Sequence, residues 1–339
     1  MKLAYFFCGL LLSAGITAGA EPKWIHVTSS DFEIFSTAGQ GSTMDVLHHF
    51  EEVRSFFAKF AGGTNSVQLS DPVRIIVFGS EKEYLPYRPS EAAAAFYTQA
   101  GGRDYIVLGG VTENVFPIAV HEYVHLVAQH YRMNLPPWMN EGIADTYSTL
   151  KPTGGKILIG TLPPGRVAEL MQSQWIPLAT ILSVDQSSPL YNEKKKAGAF
   201  YAESWAFVHM LLLSPEYSPR FSKLIDALAD AGTSSQQIVE KLYGKPLSAF
   251  DREVQSYVRG SRFSGAIVDG QLDGRAEAHT ESAQPFDVRL ALLDLLHARG
   301  GKRSAAKVCP ISRRNTRSVP SRTPRSAIWT CAVLRQVMR

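Results

Sequence analysis

Two histidines four residues apart, His121 and His125, followed sixteen residues later by Glu141, constrain this chain more than any other feature. Four residues advance an α-helix by about 400°, so both imidazoles leave the same face. The run Trp138-Met139-Asn140-Glu141-Gly142-Ile143-Ala144-Asp145 reads as the start of a second helix, with Pro136 and Pro137 in the turn before it. If the two helices face one another, two imidazoles and one carboxylate can supply three protein ligands to Zn²⁺. A fourth position then stays open for water, as in catalytic zinc sites. Glu122 lies beside the first histidine, where it can reach that water without ligating the metal. Asp145 shares a face with Glu141 and can accept the outward N–H of a ligating histidine. The competing reading is a solvated helix with two incidental histidines. Glu141 and Asp145 at helical spacing argue against it.

These residues resemble the gluzincin metallopeptidases, the thermolysin-like branch with a glutamate as third ligand, and within it the bacterial peptidase MA-like group. The resemblance is carried by His121 to His125, the Pro-Pro-Trp turn and Asn140-Glu141-Gly142-Ile143-Ala144-Asp145. A looser likeness covers residues 24–259 and includes Phe200-Tyr201-Ala202-Glu203-Ser204-Trp205. It implies that His121, His125 and Glu141 bind zinc, that Glu122 is the general base, and that Asp145 stands behind His121. The interval between the second histidine and Glu141 is shorter than in thermolysin itself, which leaves substrate preference open.

Pattern along the chain fits an α+β, zincin-like fold over residues 21–260. A small mixed-sheet lobe carrying the metal-binding helix occupies 21–150, and a mainly helical lobe follows over 151–260. Alternation over 24–35 predicts two strands, and compact apolar runs predict strands at 73–78 and 105–108. The last of these reads either as a sheet edge above the cleft or as a buried strand. Val46, Leu47, Phe50, Val53, Phe57 and Phe60 recur at helical spacing, predicting a helix over 43–60 capped by Ser42 or Thr43. Its His48 and His49 read as surface or boundary residues. The metal helix is expected over 117–131 with Pro117 at its first position, and the second motif helix over 138–150. A Gly/Pro-rich loop or hairpin over 151–165 precedes helices at 197–213, 219–231, 235–242 and 247–257.

The chain's ends read differently from its body. Lys2, the apolar run 3–12 and Ala18-Gly19-Ala20 have the form of a secretory signal peptide over 1–20, predicting an exported, periplasmic or extracellular protein. The h-region is too short to span a bilayer, so no stable membrane insertion is expected after cleavage. Cys8 lies in that leader, which leaves Cys309 and Cys331 and excludes a disulfide scaffold. The net charge of +4 misleads, because residues 301–339 hold eight Arg and two Lys with no acid. The body is therefore acidic, and nucleic acid is not expected as its partner. The tail reads as disordered, either a basic arm or a non-functional extension. Residues 261–300 read as a linker followed by the start of a helical repeat, with a helical apolar pattern over 286–296. That pattern gives way near Lys302 to Arg/Ser/Pro-rich sequence, as a change of reading frame would produce.

The expected chemistry is peptide hydrolysis. A developing oxyanion needs a further hydrogen-bond donor. Tyr201, His209 and Tyr97 are the candidates, and Tyr201 is preferred because it lies in the segment that resembles the family. Trp205 reads as packing. Two other readings stay open: a silent peptidase-like domain used for binding or scaffolding, and a zinc hydrolase of a non-peptide amide. An intact Glu122 argues against the first. The expected partner is a peptide or protein substrate, and oligomeric state is not legible.

Overall fold

The computed structural model describes residues 22–60 and 71–305, apart from residues 92, 113–114, 164, 193, 230–231, 262 and 270–276. The expected leader, the three cysteines and all but the first residues of the expected basic tail lie outside the described residues. In chain order the elements are β1 (Ile25–Thr28), β2 (Phe32–Ser36), α1 (Gln40–Phe60), β3 (Val73–Val77), α2 (Glu81–Tyr84), β4 (Ala95–Ala100) and β5 (Arg103–Leu108). Then follow α3 (Val115–His130), α4 (Pro137–Tyr147), β6 (Lys151–Thr153), β7 (Lys156–Ile159), α5 (Arg166–Gln172), α6 (Leu178–Ile181), α7 (Pro189–Asn192) and α8 (Lys194–Leu213). A short 3₁₀ turn precedes α9 (Phe221–Ala229), α10 (Ser235–Tyr243) and α11 (Leu247–Arg259), and β8 (Ala266–Asp269), β9 (His279–Ser282) and α12 (Pro285–Ala305) complete the set.

The fold is mixed α and β, with a six-stranded mixed sheet in the order β4-β5-β3-β2-β1-β9. β2–β3 and β3–β5 pair parallel, whereas β1–β2, β4–β5 and β1–β9 pair antiparallel. Alternation along each strand divides the apolar side chains between two cores. Ile75 and Val77 of β3, with Ile106 and Leu108 of β5, face the core shared with α1, α3, α4 and α8. Ile76, Phe78, Tyr105 and Val107 face the opposite side, where Val288, Ala291 and Leu295 of α12 cover them.

Several expectations are corrected here. Of the two readings of the 105–108 strand, the buried one holds for β5, and the sheet edge is a further strand, β4. β4 carries Phe96, Tyr97 and Thr98, which suit a strand, but the run Ala95-Phe96-Tyr97-Thr98-Gln99-Ala100 does not alternate apolar with polar, so it gives no strand period. α1 begins at Gln40, ahead of the expected cap, and Thr43 Oγ1 donates to the Gly39 carbonyl at 2.6 Å within the first turn. α3 begins at Val115, which places Pro117 third in the helix. That position is still within the first turn, where a missing N–H breaks no intrahelical bond. The stretch expected as a linker and repeat instead supplies β8, which pairs with β7, β9, which extends the large sheet at β1, and α12. Tyr105 Oη donates to Asp294 Oδ2 at 2.7 Å and accepts from Arg74 Nη1 at 2.8 Å, tying α12 to the sheet by polar contacts as well.

The expected loop or hairpin at 151–165 is a hairpin. Gly154 and Gly155 turn β6 into β7 with φ of +55° and +80°, the pair of left-handed residues that a two-residue hairpin turn demands. α8 is the spine of the helical half. It lies directly against α4, and Gly142 is what permits the approach. A β-carbon there would stand 2.6 Å from the Ser204 carbonyl oxygen and collide with Val208. Among the described residues no helix is long and apolar enough to cross a membrane.

Candidate metal centre

α3 brings its apolar side, including Val120, Tyr123, Val124 and Val127, against the sheet and α1, which leaves the face with His121 and His125 turned toward α4. Pro136 and Pro137 turn the chain, with Pro137 as the first residue of α4 where its missing N–H is harmless. Trp138, Met139, Ile143 and Ala144 are buried, and they fix the rotation of α4 so that Glu141 and Asp145 point back at α3.

The result is a convergent cluster. His121 Nε2 and His125 Nε2 lie 3.0 Å apart, and Glu141 Oε2 lies 3.1 Å from the first and 3.4 Å from the second. These three residues could hold a metal ion. The other ring nitrogens are also engaged. His121 Nδ1 lies 2.8 Å from Asp145 Oδ1, so an Nδ1–H donating there leaves the Nε2 lone pair free for the centre. Asn140 Nδ2 lies 3.2 Å from His125 Nδ1, and turning the amide over presents its oxygen as the acceptor that an Nδ1–H requires.

Glu141 is almost fully buried, and both of its oxygens are used. Oε2 faces the histidines, and Oε1 accepts a 2.7 Å hydrogen bond from Tyr191 of α7. Asp145 also accepts from Arg166 of α5, at 2.6 Å from Nε to Oδ2 and 3.3 Å from Nη2 to Oδ1. The Arg166 guanidinium in turn lies 5.3 Å from the centre of the Tyr201 ring, which packs 6.1 Å from the ring of Tyr191.

The electrostatics favour positive charge between the imidazoles. Burial opposes ionisation of Glu141 and Asp145, but the neighbouring histidines, joined at Asp145 by Arg166, hold both carboxyls below their usual range. Burial likewise opposes a charged His121, yet Asp145 and Glu141 outweigh it and raise its pKa to about 10. A cation at the meeting point of the three ligand atoms satisfies both carboxylates.

Glu122 sits outside this triangle. Its Oε2 accepts the backbone N–H of Tyr97, on β4, at 3.0 Å. Burial raises its pKa, and His121, His125 and the Tyr97 N–H offset only part of that rise. Of the three candidate donors, His209 is removed from the site. It is fully buried, with Nε2 3.0 Å from the Gly160 carbonyl and Nδ1 2.8 Å from the Tyr257 hydroxyl. Its role is to fasten α8 to the end of β7 and to α11. The Tyr97 hydroxyl is committed to Asp104 at 2.6 Å and Gln129 at 3.2 Å, so this residue contributes its backbone instead. Tyr201 stays beside the centre, its phenol pKa raised by burial and by the charges of Glu141 and Glu122. Trp205 is buried, as expected of a packing residue.

Tyr191 and Arg166 were not found from sequence. Neither lies at a motif spacing, and both arrive through loops whose course depends on the tertiary fold. No protein-family model matches this chain, and no curated protein matches it.

Proposed function

We propose that this chain is a zinc-dependent metallopeptidase of the gluzincin, thermolysin-like type, with a zincin-like fold akin to the bacterial peptidase MA-like group. The observation that carries the reading is the triangle of His121 Nε2, His125 Nε2 and Glu141 Oε2, with edges of 3.0, 3.1 and 3.4 Å. Zinc bonds of about 2.0–2.1 Å at tetrahedral angles set ligand atoms roughly 3.3–3.4 Å apart, so the triangle needs only a small outward relaxation. Two imidazoles and one carboxylate are a donor set that suits zinc and leaves one tetrahedral position for solvent or substrate. In such a site zinc acts as a Lewis acid toward a carbonyl and lowers the pKa of water to about 7.

The chain's own residues do the rest. Asp145, and Asn140 with its amide oxygen turned to His125 Nδ1, hold the imidazoles in the tautomer that turns the Nε2 lone pairs inward. Glu122 takes a proton from the attacking water and returns it to the departing amine nitrogen. Tyr201 is the donor to the developing oxyanion, with its protonated phenol beside the centre. Among the described residues no strand pairs with the outer edge of β4, so an extended peptide can lie along it by main-chain hydrogen bonds. The leader-like residues 1–20 support export, and the proposed substrates are periplasmic or extracellular peptides and proteins.

The test is to load the purified protein with zinc and incubate it with a broad peptide library, reading new termini by mass spectrometry. Cleavage that stops on chelation and returns with zinc is the expected result. Zinc uptake with no cleavage anywhere in the library contradicts the peptidase reading and favours a binding domain or a hydrolase of another amide.

A further inference from the structure

Resting on the metal-site reading above, we infer that Tyr191 is a positioning residue that makes Glu141 a one-oxygen ligand and so keeps a coordination position open. A carboxylate facing a metal can bind through one oxygen or both, and the second mode fills a position that catalysis needs. Here the two oxygens have separate partners. Oε2 is the atom within 3.1 and 3.4 Å of the two histidine nitrogens, and Oε1 accepts the Tyr191 hydroxyl at 2.7 Å. Rotation of the carboxylate to bring Oε1 onto the metal would break that bond and leave the Tyr191 hydroxyl without its acceptor in a partly buried setting.

The tyrosine is itself held in place. Its ring meets Phe200 edge-on at 5.8 Å and packs against Tyr201 at 6.1 Å, and Phe200 is fully buried in α8. α7 leads almost directly into α8, and α8 lies against α4, the helix that carries Glu141. The hydroxyl is therefore aimed at Oε1 by the packing of the helical half. The two halves of the molecule meet at this contact, because the histidines come from the helix that lines the sheet and Tyr191 comes from the helical half. This role differs from that of Tyr201, which is assigned to the substrate rather than to a ligand.

The experiment uses the full-length protein loaded with Co²⁺ in place of Zn²⁺. Four-coordinate cobalt absorbs strongly in the visible, and five-coordinate cobalt absorbs weakly. Wild type should give the four-coordinate spectrum. Tyr191→Phe should give the five-coordinate one as Glu141 closes onto the metal with both oxygens, and should bind zinc about tenfold more weakly in chelator competition. Tyr201→Phe, beside it but without that bond, should leave both readings at wild-type values. X-ray absorption of zinc-loaded wild type gives an answer that needs no variant, and a two-oxygen Glu141 there overturns the inference. An unchanged spectrum and affinity in a folded Tyr191→Phe also overturns it while leaving the metal site standing. A wild-type protein that takes up neither metal overturns both.

Discussion

The backbone N–H of Tyr97 donates to Glu122 Oε2 at 3.0 Å, so the edge strand β4 and the proposed general base are joined directly. The same tyrosine anchors the strand through its side chain, donating to Asp104 at 2.6 Å with the Gln129 amide 3.2 Å away, while His130 at the end of α3 meets Asp104 at 2.6 Å. Tyr97→Phe keeps the N–H and removes the anchor, a loss of about 1 kcal/mol. Amide exchange along β4 should quicken and peptide hydrolysis should fall several-fold at unchanged metal content. Exchange in β4 identical to wild type would show that the anchor has no such role.

Asp145 joins His121 to Arg166 and is buried. Asp145→Asn keeps the shape and loses the charge that fixes the His121 tautomer. Zinc affinity, measured by competition with a chelator, should fall about 10- to 100-fold. Affinity within twofold of wild type would remove Asp145 from the account.

Gly142 sets the distance between α4 and α8. Gly142→Ala places a methyl group 2.6 Å from the Ser204 carbonyl and into Val208, so the helices must separate. The expected loss is about 1–3 kcal/mol in urea unfolding, and weaker zinc binding should accompany it because Glu141 is the adjacent residue. A variant of wild-type stability would mean that the helices can part at no cost.

Stability should also depend on pH through two buried groups of α8 away from the metal cluster. Glu203 is 1% exposed, with Oε1 accepting the Ile176 N–H at 2.8 Å and Oε2 unpartnered, and burial pushes its pKa up to about 8. From its ordinary 4.5 to about 8 the native chain keeps a proton that the unfolded chain has released, so stability falls as pH rises through that window. His209 has the opposite sign. Burial lowers its pKa from 6.5 to about 4, so stability falls as pH drops through that interval. Between about pH 6.5 and 8 the unfolded His209 loses the last of its charge, and His121, with its pKa raised to about 10, adds a decline of its own, so Glu203 is read as the difference between wild type and Glu203→Gln. Urea midpoints there should decline for wild type and be flatter for Glu203→Gln. Equal slopes would contradict a protonated native Glu203.

What the sequence made legible follows from range. His121, His125, Glu141 and Asp145 were readable because helical geometry alone aligns residues four apart, and one proline turn joins the two helices. The apolar stripe of α1 was readable for the same reason, and Val46, Leu47, Phe50, Val53 and Phe57 are buried as expected. β4 was not, because its apolar and polar residues do not alternate, although Phe96, Tyr97 and Thr98 suit a strand and pair with β5. β9 was missed likewise, since its partner β1 lies at the other end of the chain. The helix over 286–296 was read as such, but nothing local says that Val288, Ala291 and Leu295 cover a sheet. Tyr191 lies 50 residues from Glu141, and only the packed fold brings them together.

The most direct measurement compares wild type with Glu122→Gln for metal content and peptide cleavage in parallel. The amide keeps the shape of the side chain and cannot take a proton. The account predicts one zinc bound by both proteins and hydrolysis reduced by about 10²- to 10⁴-fold in the variant. Equal cleavage by the two zinc-loaded proteins would contradict Glu122 as the base, and with it the central claim.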